Sequence, residues 1–252
     1  MQPTTMRLKM ISCEVLARQA YYAAALSPHV VDVELVRKGL HDDADALRAE
    51  LQRQIDVSQD GGYDAILLGY GLCSNSIAGL ACSYAQMVVP RAHDCITLFL
   101  GSKERYAQEF RAHPGTYWYT ADYVERGGED GAGITLGTSA DDKNMSKIYR
   151  EYVEKYGEDN ADYLMEVMGA WQQHYDRAAY IDTAEMRLPD HSDQVAEVAQ
   201  RRGWALERIT GSLLIIRDLV EGRWDSERFL IVPPGETIAP THDGNIISRA
   251  QL

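Results

Sequence analysis

Tyr63-Asp-Ala-Ile-Leu-Leu68, running straight into Gly69-Tyr-Gly-Leu-Cys-Ser-Asn-Ser76, is a short apolar run set off by Gly61-Gly62 and closed by a loop of glycine and small polar residues. A run of this length that is apolar at every position after its first turn residues reads as a strand covered on both faces, the hallmark of a parallel sheet. Working outward, Arg7-Leu-Lys-Met-Ile-Ser12 is a second such strand, and Glu14 to Leu26 is an Ala- and Leu-rich helix stopped by Pro28. Val30-Val-Asp-Val-Glu34 alternates like a strand, and after Gly39 the stretch Asp42 to Asp56 places Ala46, Leu47, Leu51 and Ile55 at helical intervals behind an acidic first turn. Met87-Val-Val-Pro90 supplies a fourth strand. Strands alternating with helices predict an α/β fold with a parallel sheet and helices on both faces.

Downstream, Ile96 to Phe110 reads as helix with an interruption at Gly101-Ser102, and His113-Pro114-Gly115 ends it. The texture then changes. Tyr117, Trp118, Tyr119 and Tyr123 cluster ahead of a Gly-rich stretch from Gly127 to Gly137, and Lys143 to Tyr156 and Asn160 to Tyr175 read as two amphipathic helices, with Trp171 in the second. β-α punctuation resumes with Ala178–Asp182, a helix over Ser192–Arg202, Trp204–Ile209, a helix opening at Gly211-Ser212, and Phe229–Val232 before Pro233-Pro234-Gly235. The expected organisation is two Rossmann-like lobes, 1–112 and 177–252, separated by a helical insertion at 113–176.

The chain is 252 residues long, 45% hydrophobic and 25% charged, enough to bury a sizeable core. Its 25 basic and 38 acidic residues leave a net charge of −13, which repels phosphate backbones, so nucleic acid is excluded as an expected partner. No apolar run approaches the roughly 20 residues of a membrane span, and Met1 to Met6 carries no signal-peptide core. A cytoplasmic protein without a membrane partner is expected, with its four cysteines, Cys13, Cys73, Cys82 and Cys95, reduced.

Open parallel sheets bind ligands beyond the carboxyl ends of their strands. Cys13 follows the first strand, Cys73 lies in the loop after the third, and Cys95 follows the fourth in Arg91-Ala-His-Asp-Cys95. Three thiols are thus expected at one sheet edge, while Cys82 reads as a core residue. One chemistry this suits is a transition-metal site, zinc above all, with Cys13, Cys73 and Cys95 as ligands and His93 as ligand or orienting group. Glu14 and Asp94 are candidates for a fourth ligand or, with His93, for proton transfer. A metal-free cysteine nucleophile activated by His93 is the other chemistry.

Gly69, Gly71, Ser74 and Asn75 beside the third strand, and Gly211-Ser212 further on, have the composition of a ligand-cradling loop, and also that of ordinary turns. None forms a dinucleotide or P-loop fingerprint. Arg91 and Arg105 are placed to receive a carboxylate or phosphate, or to make surface ion pairs. The Tyr117, Trp118, Tyr119, Tyr123, Trp171 and Tyr175 rings read as packing area first and as a lid or a cage for a methylated cation second.

Ile11-Ser-Cys-Glu-Val-Leu16, Tyr63 to Cys73, Pro90-Arg-Ala-His-Asp-Cys-Ile96, Pro114-Gly-Thr-Tyr117, Glu158-Asp-Asn-Ala161 and Val232-Pro-Pro-Gly235 together resemble the bacterial and archaeal family called domain of unknown function 1638, in order and over nearly the whole chain. The resemblance implies a setting near corrinoid-dependent methyltransferases, and hence a corrinoid or a corrinoid protein as cofactor or partner. The combined expectation is a zinc–thiolate protein of one-carbon metabolism that transfers a methyl group to or from a small-molecule substrate. The alternative is a non-catalytic carrier or sensor for a small ligand, a corrinoid or a metal.

Overall fold

The computed structural model describes residues 4–40, 43–126 and 175–251. The two expected insertion helices, with Trp171, lie outside them, apart from Tyr175 at the end of the second. The described chain forms two compact units, one of residues 1–106, 183–187 and 211–252, the other of residues 107–182 and 188–210.

The first unit is built on five strands, β1 (Arg7–Cys13), β2 (Val30–Val36), β3 (Ala65–Gly69), β4 (Gln86–Pro90) and β8 (Phe229–Val232), in the order β2-β1-β3-β4-β8. The first four run parallel, as expected. All five residues of β3 are buried, because helices cover both faces of a central parallel strand. Helix α1 (Ala17–Leu26) turns Ala17, Ala20 and Ala23 inward, and α2 (Ala44–Val57) buries Leu47, Leu51 and Ile55 one turn apart. Full burial of a side chain of that size is worth roughly 1.5–3 kcal/mol. Asp43 starts α2 by accepting from the backbone N–H groups of Asp45 and Ala46.

Phe229–Val232, which the sequence groups with a separate C-terminal lobe, instead lies antiparallel against β4, pairing Pro90 with Phe229 and Met87 with Val232. A hairpin of β9 (Glu236–Pro240) and β10 (Ile247–Gln251) follows it. The expected break at Gly101-Ser102 is real: α3 (Cys95–Leu100) ends at Gly101 with φ 75°, and α4 (Lys103–Ala112) starts anew.

The second unit holds a parallel three-stranded sheet of β5 (Thr116–Thr120), β6 (Arg177–Asp182) and β7 (Ala205–Thr210), with β6 central. Between them lie α5 (Ala121–Glu125) and α6 (Ser192–Arg202), and α7 (Leu214–Val220) returns the chain to the first unit. Tyr117-Trp118-Tyr119, grouped by sequence with a helical insertion, is thus a strand. β-Branched and aromatic residues fit a pleated, buried surface, and all of β5 is buried.

Candidate functional site

In the order β2-β1-β3-β4 the chain moves from β1 to one side and then crosses back to the other, so β1 and β3 flank the topological switch point of the sheet. Their register pairs Ser12 with Gly69, which brings Cys13 and the Gly69–Asn75 loop to the same edge. Gly69 is needed there, because a Cβ on it would stand 2.4 Å from Ser12 Oγ. Gly71 lets the β3 loop lie against the β4 loop, where a Cβ would fall 2.6 Å from the Asp94 nitrogen and 2.9 Å from the Ala92 oxygen. The two loops are stitched by hydrogen bonds from Leu72 N to Ala92 O at 2.8 Å and from Cys73 N to His93 O at 2.9 Å.

Past this seam, Cys73, Ser74 and Asn75 adopt left-handed φ values of 44°, 55° and 67° in succession. Such conformations cost about 1–3 kcal/mol each in residues other than glycine and concentrate at functional sites. Ser76 holds the turn by donating from both its backbone N–H and its hydroxyl to the Cys73 carbonyl, and Arg48 Nη2 donates to the Asn75 carbonyl at 2.9 Å.

Asp94 caps α3, one carboxylate oxygen accepting from Ile96 N at 3.0 Å and Thr97 N at 3.4 Å, the other from the Tyr106 hydroxyl at 2.9 Å. Cys95 is the first residue of α3. Cys13, Cys73 and Cys95 therefore converge from three strand ends, and their thiols act on one another and on the Tyr70 hydroxyl. All three residues are partly accessible, whereas Cys82 is buried in the core, as expected.

Burial pushes the Cys73 thiol up, and the Asp94 charge and Cys13 push it further; burial, Asp94, Cys73 and Cys13 do the same at Cys95. The Asp94 carboxyl is itself raised by burial, against the pull of Tyr106, the helix N–H groups and His93. Sequence reasoning passed over Tyr70, which stands between the two site glycines. It is 3% exposed, burial raises its hydroxyl first and Cys13 next, and that hydroxyl has no nitrogen or oxygen partner, the Cys13 thiol being the group set against it. Its position inside the strand-end loop is the signal that could have found it.

The structure does not bear out the metal site expected from the sequence. Among the described residues no group of three or more His, Cys, Asp and Glu side chains is disposed to hold a metal ion. The other candidate ligands are turned to other tasks: His93 is exposed, the Asp94 oxygens are taken up by α3 and Tyr106, and Glu14 Oε1 accepts from Lys38 N at 2.8 Å. The zinc–thiolate centre of Cys13, Cys73, Cys95 and His93 is therefore withdrawn.

Gly211-Ser212 lies elsewhere, Ser212 donating its N–H to Phe99 O at 2.8 Å and packing on Gly101. Arg91 is bound to backbone carbonyls, Nε to Ser226 O at 2.8 Å and Nη1 to Asn245 O at 3.0 Å. Tyr117 is 3% exposed and stacks with Tyr119, Tyr175 and Trp204 at centroid separations of 5.1, 5.3 and 5.2 Å, which is a packed core and matches the packing reading of these rings.

Fold and site together define an α/β protein with three thiols and a buried phenol gathered at the switch point of a mostly parallel sheet. The profile of a family described as protein of unknown function, DUF1638, matches residues 35–220, and the chain belongs to that family. The match takes in Cys73 and Cys95, while Cys13 precedes it. No curated protein and no solved structure matches the chain. No helix among the described residues is long and apolar enough to cross a membrane.

Proposed function

We propose that this chain is a cytoplasmic carrier or sensor of one-carbon metabolism that binds a small organic molecule at the crevice between the β1 and β3 carboxyl ends. The observation that supports it is the Tyr70 hydroxyl, buried among Cys13, Cys73 and Cys95 with no nitrogen or oxygen partner and only the Cys13 thiol, a weak hydrogen-bonding group, set against it. A buried hydroxyl that meets only a thiol falls short of a full hydrogen bond, which a ligand acceptor would supply. The thiols supply polarizable, weakly polar walls. The one-carbon setting, with a corrinoid protein as partner, rests on the family resemblance.

Native mass spectrometry of the full chain, isolated untagged from its own source, tests the reading. The expected result is one non-covalently bound small molecule per chain, lost in Tyr70→Phe and retained in Cys82→Ala. A chain free of any such molecule would count against it.

A catalytic reading, methyl transfer onto a thiol with its proton passing to a carboxylate, is favoured by the place of Asp94 beside Cys73 and Cys95, its carboxyl raised by burial. Incubation with a methylated corrinoid protein would then leave one cysteine heavier by a methyl group in place of a hydrogen. The carrier leaves the chain unmodified.

A further inference from the structure

A cavity of about 250 Å³ lies beside Arg91, just past the end of β4, and neither the thiol cluster nor the proposed function accounts for it. Arg91, Lys103 and Arg228 are among its walls, Leu214 and Ile215 line it, and Glu104 stands among the lining residues as its one acid. The three cations differ in how they are balanced. Arg228 is paired with Asp218 and Asp225. Arg91 and Lys103 instead hold backbone carbonyls, Lys103 Nζ donating to Glu227 O at 3.0 Å and Gly244 O at 3.2 Å, and Arg91 donating to Ser226 O and Asn245 O.

Carbonyls solvate a cation but leave its charge in place. Asp243 and Glu227 act on Arg91 at longer range. Glu104 is engaged by the Ser102 hydroxyl at 2.8 Å and by the charge of Lys103, which with that hydroxyl holds its carboxyl below the ordinary range. Two positive charges without a carboxylate in contact thus meet an apolar wall in a protein whose net charge is −13. Leu214, 37% exposed, offers that wall to a solute.

We propose that this cavity binds a small carboxylate with an apolar body, its head on Arg91 and Lys103, its body on Leu214 and Ile215, with the nearby charge of Glu104 opposing it. A bare inorganic anion could not use the apolar wall, and an uncharged analogue could not use the cations.

Amide chemical shifts of Gly101, Lys103 and Ile215 in the full chain, followed during titration with butyrate, butyramide and inorganic phosphate, test this. Butyrate is expected to bind about tenfold more tightly than butyramide or phosphate. Glu104→Gln, an exposed change, is expected to tighten butyrate several-fold, and Lys103→Met to weaken it by about tenfold. Equal affinity for butyrate and butyramide, phosphate binding as tight as butyrate, or no response to Glu104→Gln would each overturn the proposal.

Discussion

Cys73 and Cys95 show how far residue type underdetermines chemistry. A cysteine at a strand end is a metal ligand or nucleophile only as thiolate, and the ionisation state is set by what folding places beside it. Here that is burial and the Asp94 carboxylate, both acting against ionisation. The two thiols are expected to react with iodoacetamide more slowly at neutral pH than a free thiol. Asp94→Asn, which keeps an oxygen to cap α3, should speed them. Peptide mapping after a timed quench measures both rates. Tyr70→Phe removes a buried hydroxyl whose one neighbour is the weakly hydrogen-bonding Cys13 thiol, so it should change stability by no more than about 1 kcal/mol while abolishing ligand retention. Chemical denaturation of the two proteins without ligand gives the comparison.

At the scale of elements, the site depends on the seam between the β3 and β4 loops. Gly71→Ala would press a methyl group onto the backbone of Asp94 and Ala92, which cannot yield as a side chain can, so a loss of about 1–3 kcal/mol is expected in urea denaturation. The parallel strands, the helix α2 with Leu47, Leu51 and Ile55 on one face, and the break at Gly101 were legible in the sequence because apolar spacing and glycine act locally. The antiparallel return of β8 and the β9–β10 hairpin were not. A strand of four residues carries no mark of its direction, and the polar, proline-ended β9 lacks an apolar alternation to announce it. The meeting of Cys13, Cys73 and Cys95 was legible, since strand order places three strand-end loops together whatever their separation in sequence. Tyr70 was hidden by the same rule, because an aromatic in a loop between glycines reads as a turn residue until its burial is known.

For the molecule as a whole, the raised thiols and the raised Tyr70 hydroxyl make stability depend on alkaline pH. Groups whose folded pKa lies above the unfolded value stabilise the fold fully below the unfolded pKa, and that contribution is lost as pH rises. Unfolded thiols ionise near pH 8.5 and tyrosine near pH 10, so stability is expected to fall as pH rises from about 8 upward, by at most about 1.4 kcal/mol per pH unit for each group. The Cys73→Ser, Cys95→Ser double variant should show a shallower decline in denaturant titrations across that range. An unchanged slope would place these thiols in a solvated, ordinary environment. Net charge could rule out nucleic acid from sequence, but it could not foretell protonation inside a crevice, which depends on burial and near neighbours rather than on totals.

The most direct measurement is an electron-density map of the untagged protein from its own source. The account predicts a small organic molecule in the crevice beyond β1 and β3, an acceptor atom within hydrogen-bond reach of Tyr70 Oη and its body against the sulfurs of Cys13, Cys73 and Cys95. Sulfurs directed into separate interiors, or Tyr70 Oη satisfied by a protein nitrogen or oxygen with no molecule present, would contradict it.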